Sequence, residues 1–351
     1  AAAHIMMAYY YLNITDRWGY APYSEALMGS ENTAPKFDSV EAIYTSLLSN
    51  LDAAIGMMDN GGLNGDILFG GNMNGWKVMA NTIKMRIALR MADVDPSTAA
   101  SVFNSAYNSG VIGQGGDLHY PYLTSDAFDN PWQDRFQTRY DFVVSELFID
   151  HLKATGDPRL PYMADGTAIS NGTEYVGLEY GLENPGILET LLSGIDGRII
   201  YDGTQQGGWI ATYAEVCFAM AEANQRGWTT VGDTLTWLKL GIQSSCERWG
   251  VPSASAASFA ASATLGSNPM ETIAMAKWTD MFLQGYEAWT EWRRLDFPVL
   301  SPPAAAITGT GVPVRNGYGG LVPTQNAASY NAAVSAQGPD NQDTKLWWDT
   351  K

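Results

Sequence analysis

The sequence predicts a mostly α-helical protein in which tetratricopeptide-like helix pairs are interrupted by long irregular loops. Apolar residues recur at helical spacing near both ends of the chain, and turns containing Gly or Pro separate the helical segments. A middle stretch rich in Gly, Asn, Asp, Pro and Tyr lacks this periodicity. Because the helix pairs return at a spacing of about 34 residues, we interpret them as degenerate tetratricopeptide-like repeats.

Four helices are predicted in the first third of the chain, and two of them carry clear N-terminal caps. The second helix follows Asp38 or Ser39, either of which can accept a hydrogen bond from the first turn. The fourth follows Asp95, with Pro96 in the first helical position, where the missing N–H leaves no bond unmade. The predicted spans are residues 3–15, 40–55, 76–91 and 96–110.

Helical periodicity returns in the last third of the chain and stops at Pro298. Helices are predicted over 210–225 and 233–249, with one or two more over 269–292. Between the two helical regions, only 143–153 has a clear helical pattern. The predicted organisation is one domain in four segments, namely helix pairs over 1–112, a loop-rich insertion over 113–208, further helix pairs over 209–298 and an irregular C-terminal segment over 299–351.

The charge balance excludes nucleic acid as a partner. The chain has 37 acidic and 20 basic residues, which give a net charge of −17, so it repels phosphate backbones. It also lacks the Lys/Arg clusters that hold a helix on anionic lipid and the roughly 20 continuous apolar residues that span a bilayer. A helical pattern begins at the first residues, from which we expect the true N-terminal region to be missing.

The two cysteines, Cys217 and Cys246, lie in apolar helical patterns. We expect two buried free thiols, because cysteine is among the most frequently buried residues. A disulfide between adjacent helices stays open as an alternative.

Signatures of metal, serine-hydrolase or nucleotide chemistry are missing from the sequence. With three histidines, no HExxH and no CxxC, a zinc site has no ligand set. No G-x-S-x-G elbow occurs, and the glycine loop over 70–77 has Trp76 where a phosphate-binding loop needs Lys. We therefore expect no cofactor, while the loops rich in Asp and Asn leave a structural Ca²⁺ open.

Paired carboxylates are the remaining enzymatic option, since two suffice for glycoside hydrolysis. Glu287 and Glu291 stand four residues apart on one predicted helix, within reach of Arg293 and Arg294. Ion pairs on a helix are the commoner explanation of this pattern, so no catalytic residue is assigned. We expect Glu287 and Arg293, together with Trp289 and Trp292, to support the fold.

Aromatic residues in the irregular regions are the best candidates for ligand binding. The chain has 12 Trp and 18 Tyr, and many of them lie beside Gly, Pro or polar residues. Aromatic faces stack on flat, partly apolar surfaces such as sugar rings, while amides and carboxylates bind hydroxyl groups. The predicted ligand-binding residues are Trp132, Tyr175, Tyr180, Tyr201 and Trp209.

Several motifs resemble the SusD/RagB family of surface lipoproteins from Bacteroidetes. Residues 10–19 (YYLNITDRWG) and 22–26 (PYSEA) are similar to its first repeat, and residues 157–160 (DPRL) match a turn of the family. Further similarities lie over 213–223 (YAEVCFAMAEA), 277–294 and 347–349 (WWD), so the resemblance covers nearly the whole chain in the right order.

The resemblance implies four tetratricopeptide-like helix pairs with irregular segments. It also implies a lipid-anchored, surface-exposed location on the cell outer membrane, attached by a lipidated N-terminal cysteine that this chain lacks. Its partner would be a SusC-like TonB-dependent transporter, and its ligand an oligosaccharide or a peptide. The matching motifs are structural, so no binding residue of the family can be assigned here.

The function predicted from residues and resemblance is non-catalytic capture of oligosaccharides or peptides for uptake through that transporter. One alternative is a tetratricopeptide-type scaffold whose only partner is another protein. A second is an all-helical glycoside hydrolase that uses Glu287 or Glu291. Binding of a glycan would favour the first function over the scaffold, and turnover of a glycan would favour the hydrolase.

Overall fold

The structure is a computed structural model that describes residues 1–59, 61–123, 125–183, 185–200, 208–306 and 311–351. Fifteen α-helices and two short antiparallel ribbons occur in these ranges, which confirms the mostly α-helical class. The helices are α1 Ala2–Trp18, α2 Val40–Gly56, α3 Met73–Arg90, α4 Pro96–Asn108, α5 Pro131–Phe136, α6 Glu146–Thr155, α7 Leu160–Met163, α8 Gly197–Ile200, α9 Tyr213–Gln225, α10 Thr234–Arg248, α11 Ser253–Ser262, α12 Pro269–Asp280, α13 Gly285–Leu295, α14 Val322–Gln325 and α15 Ala327–Gln337. The strands are β1 Ala21–Pro22, β2 Phe37–Asp38, β3 Leu118–His119 and β4 Trp209–Ala211.

The chain divides into two compact units. Unit 1 contains Ala1–Val111, Thr290–Pro302 and Ile307–Lys351, and unit 2 contains Ile112–Trp289 and Pro303–Ala306. The four segment boundaries predicted from the sequence remain predictions.

Unit 1 is built on helices α1 to α4, which pack in the order of the chain. Ser39 caps α2 by accepting the Ala42 amide, and Asp95 caps α4 by accepting the Thr98 amide at 3.1 Å, as predicted. Helix α3 is buried on all sides from Met79 onward, its charged residues included.

A charged core lies inside unit 1, made of Asp16, Tyr44, Arg90, Glu291 and Arg294. The Asp16 carboxylate accepts from the Tyr44 hydroxyl and forms an ion pair with Arg90 at 3.3 Å. Glu291 bridges Arg90 and Arg294, in the latter case at 2.7 Å. All five side chains are buried, so each charge depends on its partners in place of water.

In unit 2, helices α9 to α12 pack around an apolar core. The predicted helix over 210–225 begins at Tyr213, because Thr212 caps it by accepting the Glu215 amide and β4 takes the residues before the cap. Cys217 and Cys246 are buried free thiols, as expected. Their burial raises the pKa of each thiol to about 12, which keeps them protonated and unreactive.

A second core in unit 2 supports the loops. Short helices α5, α7 and α8 and the longer α6 contribute its buried side chains, among them Ile149, Leu152 and Met163. The Phe148 ring stacks on Phe282 with centroids 4.7 Å apart. The helix predicted over 143–153 begins at Glu146, since the residues before it form extended bridges to neighbouring segments.

In the described ranges, six helices lie where the sequence pattern predicts none, namely the short α5, α7, α8 and α14 and the longer α11 and α15. α11 and α15 consist mainly of Ala, Ser and other small or polar residues. Alanine favours the helix strongly, but these segments carry no apolar stripe that a periodicity argument can detect.

Candidate functional site

The first candidate surface is an aromatic patch on the ribbon of β3 and β4, made of His119, Tyr120, Tyr122 and Trp209. The strands pair His119 with Trp209, whose ring centroids lie 5.0 Å apart. Tyr122 lies 6.1 Å from His119 and 4.9 Å from Tyr120 between ring centroids. A Cβ at Gly208, whose φ is 70°, would lie 2.5 Å from the Tyr122 ring, so this approach requires glycine.

A buried cation lies behind the aromatic patch. The Arg248 guanidinium carbon is 4.8 Å from the centroid of Trp209 and 5.1 Å from that of Trp249. Its Nη2 donates to Asp280 Oδ1 at 2.6 Å, whereas its Nε and Nη1 and the Trp209 indole nitrogen have no hydrogen-bond partner within the described residues. Cation–π contact therefore orients the Trp209 ring from behind.

Asp117 connects the patch to the start of α9. Its carboxylate accepts the Tyr213 amide at 2.6 Å. Burial raises the pKa of Asp117, and Asp280 and Glu215 raise it further, whereas the Tyr213 amide and Arg248 oppose the rise. Asp117 thus anchors the strand that carries the patch.

The second candidate surface is a cavity of about 210 Å³, named here the Asp165 cavity. Its floor forms where extended segments meet, because Val143 pairs with Gly194 and the Asp165 amide donates to the Gly194 carbonyl at 3.0 Å. Glu189 and Thr190, on a 3₁₀ turn, line its rim.

Tyr140 lines the mouth of the Asp165 cavity, where its ring is 44% exposed. The ring packs edge-on against Phe136, with centroids 5.3 Å apart. Ala168 and Leu192 contribute apolar wall on the other sides. The cavity thus combines an aromatic face, apolar walls and polar groups, in a volume below the roughly 300–1,000 Å³ of pockets for drug-sized ligands. It suits a single small ring or substituent.

The Asp165 cavity is acidic. Asp165 and Glu189 are its charged lining groups, and none of the described lining residues is a cation. Burial raises the pKa of Asp165 and neighbouring Asp196 adds to the rise, while the Gly197 amide and Arg198 oppose it. Arg198 itself is paired with Asp196 at 2.7 Å.

The structure separates the residues predicted to bind ligand. Trp132 in α5 and Tyr175 pack against the core that supports the loops, Tyr180 is 38% exposed, and Trp209 belongs to the aromatic patch. Tyr201 lies outside the described residues. None of the four described residues lines the Asp165 cavity. As ligand contacts, all five remain predictions.

Sequence reasoning missed Asp165, Gly194 and Arg248. An Asp before Gly is an ordinary turn signal, and a lone Gly or a helical Arg carries no functional pattern. Only the meeting of extended segments distant in sequence brings Asp165 and Gly194 to one cavity. In the sequence, only the aromatic content of the loops indicates where a binding surface lies.

The structure also bears on the carboxylate pair, the metal ligands and the membrane-spanning helix that the sequence analysis considered. Glu291 is committed to ion pairs with Arg90 and Arg294, in line with the ion-pair interpretation. In the part of the chain that the structure describes, His, Cys, Asp and Glu form no group of three suited to a metal. Among those same residues, no helix has the length and apolar character needed to cross a bilayer.

Comparison with known proteins identifies the family. A SusD-like family model, described as "Starch-binding associating with outer membrane", matches residues 1–319. The chain belongs to the SusD-like family. The resemblance inferred from the sequence motifs is thereby confirmed, although no curated protein matches the chain.

Solved structures agree with the SusD-like fold. A chitin-binding protein is 27% identical, with a TM-score of 0.90 over 100% of this chain and 80% of its own. A chitin-binding SusD homolog from Flavobacterium johnsoniae is 24% identical, with a TM-score of 0.86 over 100% and 80% of the two chains. A SusD homolog from Bacteroides fragilis is 23% identical, with a TM-score of 0.87 over 99% and 83%.

Proposed function

We propose that this SusD-like protein captures oligosaccharides at the bacterial surface without catalysis. The aromatic patch on β3 and β4 carries the proposal, because the Tyr120 ring is 39% exposed and the half-buried rings of Tyr122 and Trp209 lie in the same patch, so that a sugar can stack there. The starch-binding description of the family and the chitin-binding relative at 27% identity support carbohydrate as the ligand class. A peptide is the second candidate ligand.

The geometry favours moderate affinity. A stacked aromatic contact contributes on the order of 1 kcal/mol, so a few such contacts give binding that is readily reversed. Reversible capture suits the second half of the proposal, in which the protein is lipid-anchored at the outer membrane and delivers its cargo to a SusC-like TonB-dependent transporter.

Calorimetry with oligosaccharides of equal length tests the proposal. The ligands are N-acetylglucosamine, maltose-type and cellulose-type oligosaccharides, with a peptide mixture as the non-carbohydrate arm. We expect binding of at least one oligosaccharide, weakened several-fold to tenfold by Tyr120→Ala or Trp209→Ala. Tyr10→Ala is the matched control, because Tyr10 is also exposed but lies on α1 of unit 1.

Two results would contradict the proposal. One is the absence of binding to every oligosaccharide, which would favour the peptide ligand or the protein scaffold. The other is release of shorter oligosaccharides from a polysaccharide panel, detected by product chromatography, which would make the protein an enzyme.

A further inference from the structure

We propose that the Asp165 cavity is a subsite for the 2-acetamido group of an N-acetylhexosamine unit and that it selects against acidic sugars. The inference rests on the proposed function, since it assigns a sugar class to a carbohydrate-binding protein. It concerns a surface distinct from the aromatic patch and is tested separately from it.

The Asp165 carboxylate supplies the acceptor that an acetamido N–H requires. Oδ1 accepts the Gly197 amide at 3.3 Å, and Oδ2 has no hydrogen bond within the described residues. A carboxylate with an open oxygen in a half-buried cavity binds a donor more strongly than a neutral acceptor does.

The walls fit the other parts of the acetamido group. Ala168 and Leu192 present apolar surface to the methyl group, and the Thr190 hydroxyl, which makes no hydrogen bond in the described ranges, can donate to the acetyl carbonyl. The Tyr140 ring at the mouth offers a face to the sugar ring. A bare hydroxyl in place of the acetamido group would leave the apolar walls unfilled.

The charge of the cavity explains the exclusion of acidic sugars. A uronate or sulfate would meet the carboxylates of Asp165 and Glu189 with no cation among the described lining residues. The nearby cation, Arg198, donates its Nε to Asp196 and stacks on Tyr162 at 4.6 Å.

Gly194 makes the cavity accessible to a direct steric test. Among the described residues, a Cβ on Gly194 would meet only the Tyr140 ring, at 3.8 Å, which is an ordinary van der Waals distance. Because its φ lies outside the left-handed region, Gly194→Ala should fold normally while adding a methyl group to the cavity. Gly113→Ala is the matched control, since Gly113 is exposed and its added Cβ would lie in open space.

The experiment compares affinities by calorimetry for four oligosaccharides of equal length. They are an N-acetylglucosamine oligomer, its deacetylated form, a cellulose-type oligomer and an oligogalacturonate. For the parent protein we expect the acetylated oligomer to bind at least tenfold more tightly than the cellulose-type oligomer, and the galacturonate to bind most weakly.

The variants are judged by the ratio of acetylated to cellulose-type affinity, which a merely structural defect would not change. Gly194→Ala should lower this ratio roughly tenfold and Asp165→Asn about fivefold, since Asn keeps an acceptor but loses the charge. Gly113→Ala and Asp150→Asn, which changes an exposed Asp on α6, should leave the ratio unchanged.

The outcomes separate this inference from the proposed function. If the parent protein binds oligosaccharides but shows no acetyl preference, or the two cavity variants keep the parental ratio, the subsite assignment is wrong while carbohydrate capture stands. Tighter binding of the deacetylated oligomer would make the cavity an ammonium site and overturn the acetamido assignment. If the parent binds no oligosaccharide at all, both proposals fail.

Discussion

Carboxylates of the charged core in unit 1 and of the Asp165 cavity in unit 2 have opposite surroundings. In the charged core, Asp16 and Glu291 are buried, and each has at least two side-chain donors as partners. In the cavity, Asp165 has the Gly197 amide as its one hydrogen-bond donor among the described residues, and it lines a space of about 210 Å³. A carboxylate with its charge fully compensated holds the fold, whereas one with an open oxygen beside a cavity is available to a ligand.

The largest expected effect comes from breaking the charged core. Glu291→Ala leaves Arg90 and Arg294 buried without this partner, so the free energy of unfolding should fall by about 3–5 kcal/mol. Urea unfolding followed by circular dichroism measures the change. The control is Lys36→Ala, which removes an ion pair with Asp38 in which the lysine side chain is 58% exposed. A surface pair of this kind contributes about 0–1 kcal/mol, and equal losses in the two variants would contradict the contrast.

The next effect concerns Trp292, on the same helix as Glu291. Its indole nitrogen donates to the Pro298 carbonyl at 3.0 Å, and its ring is half-buried. Trp292→Ala should lower the free energy of unfolding by about 3 kcal/mol. Trp292→Phe should lower it by less, because the phenyl ring keeps most of the packing. Thermal melts test this order. A stable Trp292→Ala protein that selectively loses oligosaccharide binding would instead place Trp292 in the ligand site.

Local signals in the sequence account for much of the fold. Ser39 and Asp95 mark helix starts through side-chain acceptors, and the apolar periodicity of α2 and α10 survives in the structure. α15 escaped detection because its alanines provide propensity without an apolar stripe. α9 begins at Tyr213 and not at the predicted residue 210, because the residues of β4 pair with a strand distant in sequence.

The candidate site was far less predictable. The aromatic content of the sequence indicated the loops, and Trp209 lies in the aromatic patch. Local composition does not distinguish such a ring from one that packs on a core, as Trp132 does. The Asp165 cavity depends on pairings such as Val143 with Gly194, which join segments about 50 residues apart and follow no local rule.

A moderate effect is expected from pH on oligosaccharide binding. The raised pKa of Asp165 means that acidification protonates it at a higher pH than an ordinary Asp. Among the described residues, the groups around it are Asp196 just before α8, Arg198 on α8, Glu189 on the rim and the Tyr175 hydroxyl. The pKa of Tyr175 is itself raised by burial and by Asp165 and Asp196.

Affinity for the acetylated oligomer should therefore fall several-fold as the pH drops through the raised pKa of Asp165, because a protonated carboxyl is a weaker acceptor. Calorimetry between pH 7.5 and about 4.5 measures the change. Asp165→Asn should flatten the profile. A profile that is equally steep in this variant would assign the titration to another group.

The smallest effect is a gain in stability from Asp165→Asn. Since the folded state raises the pKa of Asp165, the stability that protonation contributes is fully present below the unfolded-state pKa and is lost as the pH rises through the folded-state pKa. At pH 7 the ionised carboxylate therefore destabilises the fold. Asn removes this cost, so Tm should rise by about 1–2 °C at pH 7, and the difference between the variant and the parent protein should close near pH 4.

The control is Asp150→Asn, on the exposed face of α6, which should change Tm at neither pH. A lower Tm for Asp165→Asn at pH 7 would mean that the bond from the Gly197 amide to the carboxylate outweighs the cost of ionisation, and Asp165 would then resemble the carboxylates of the charged core.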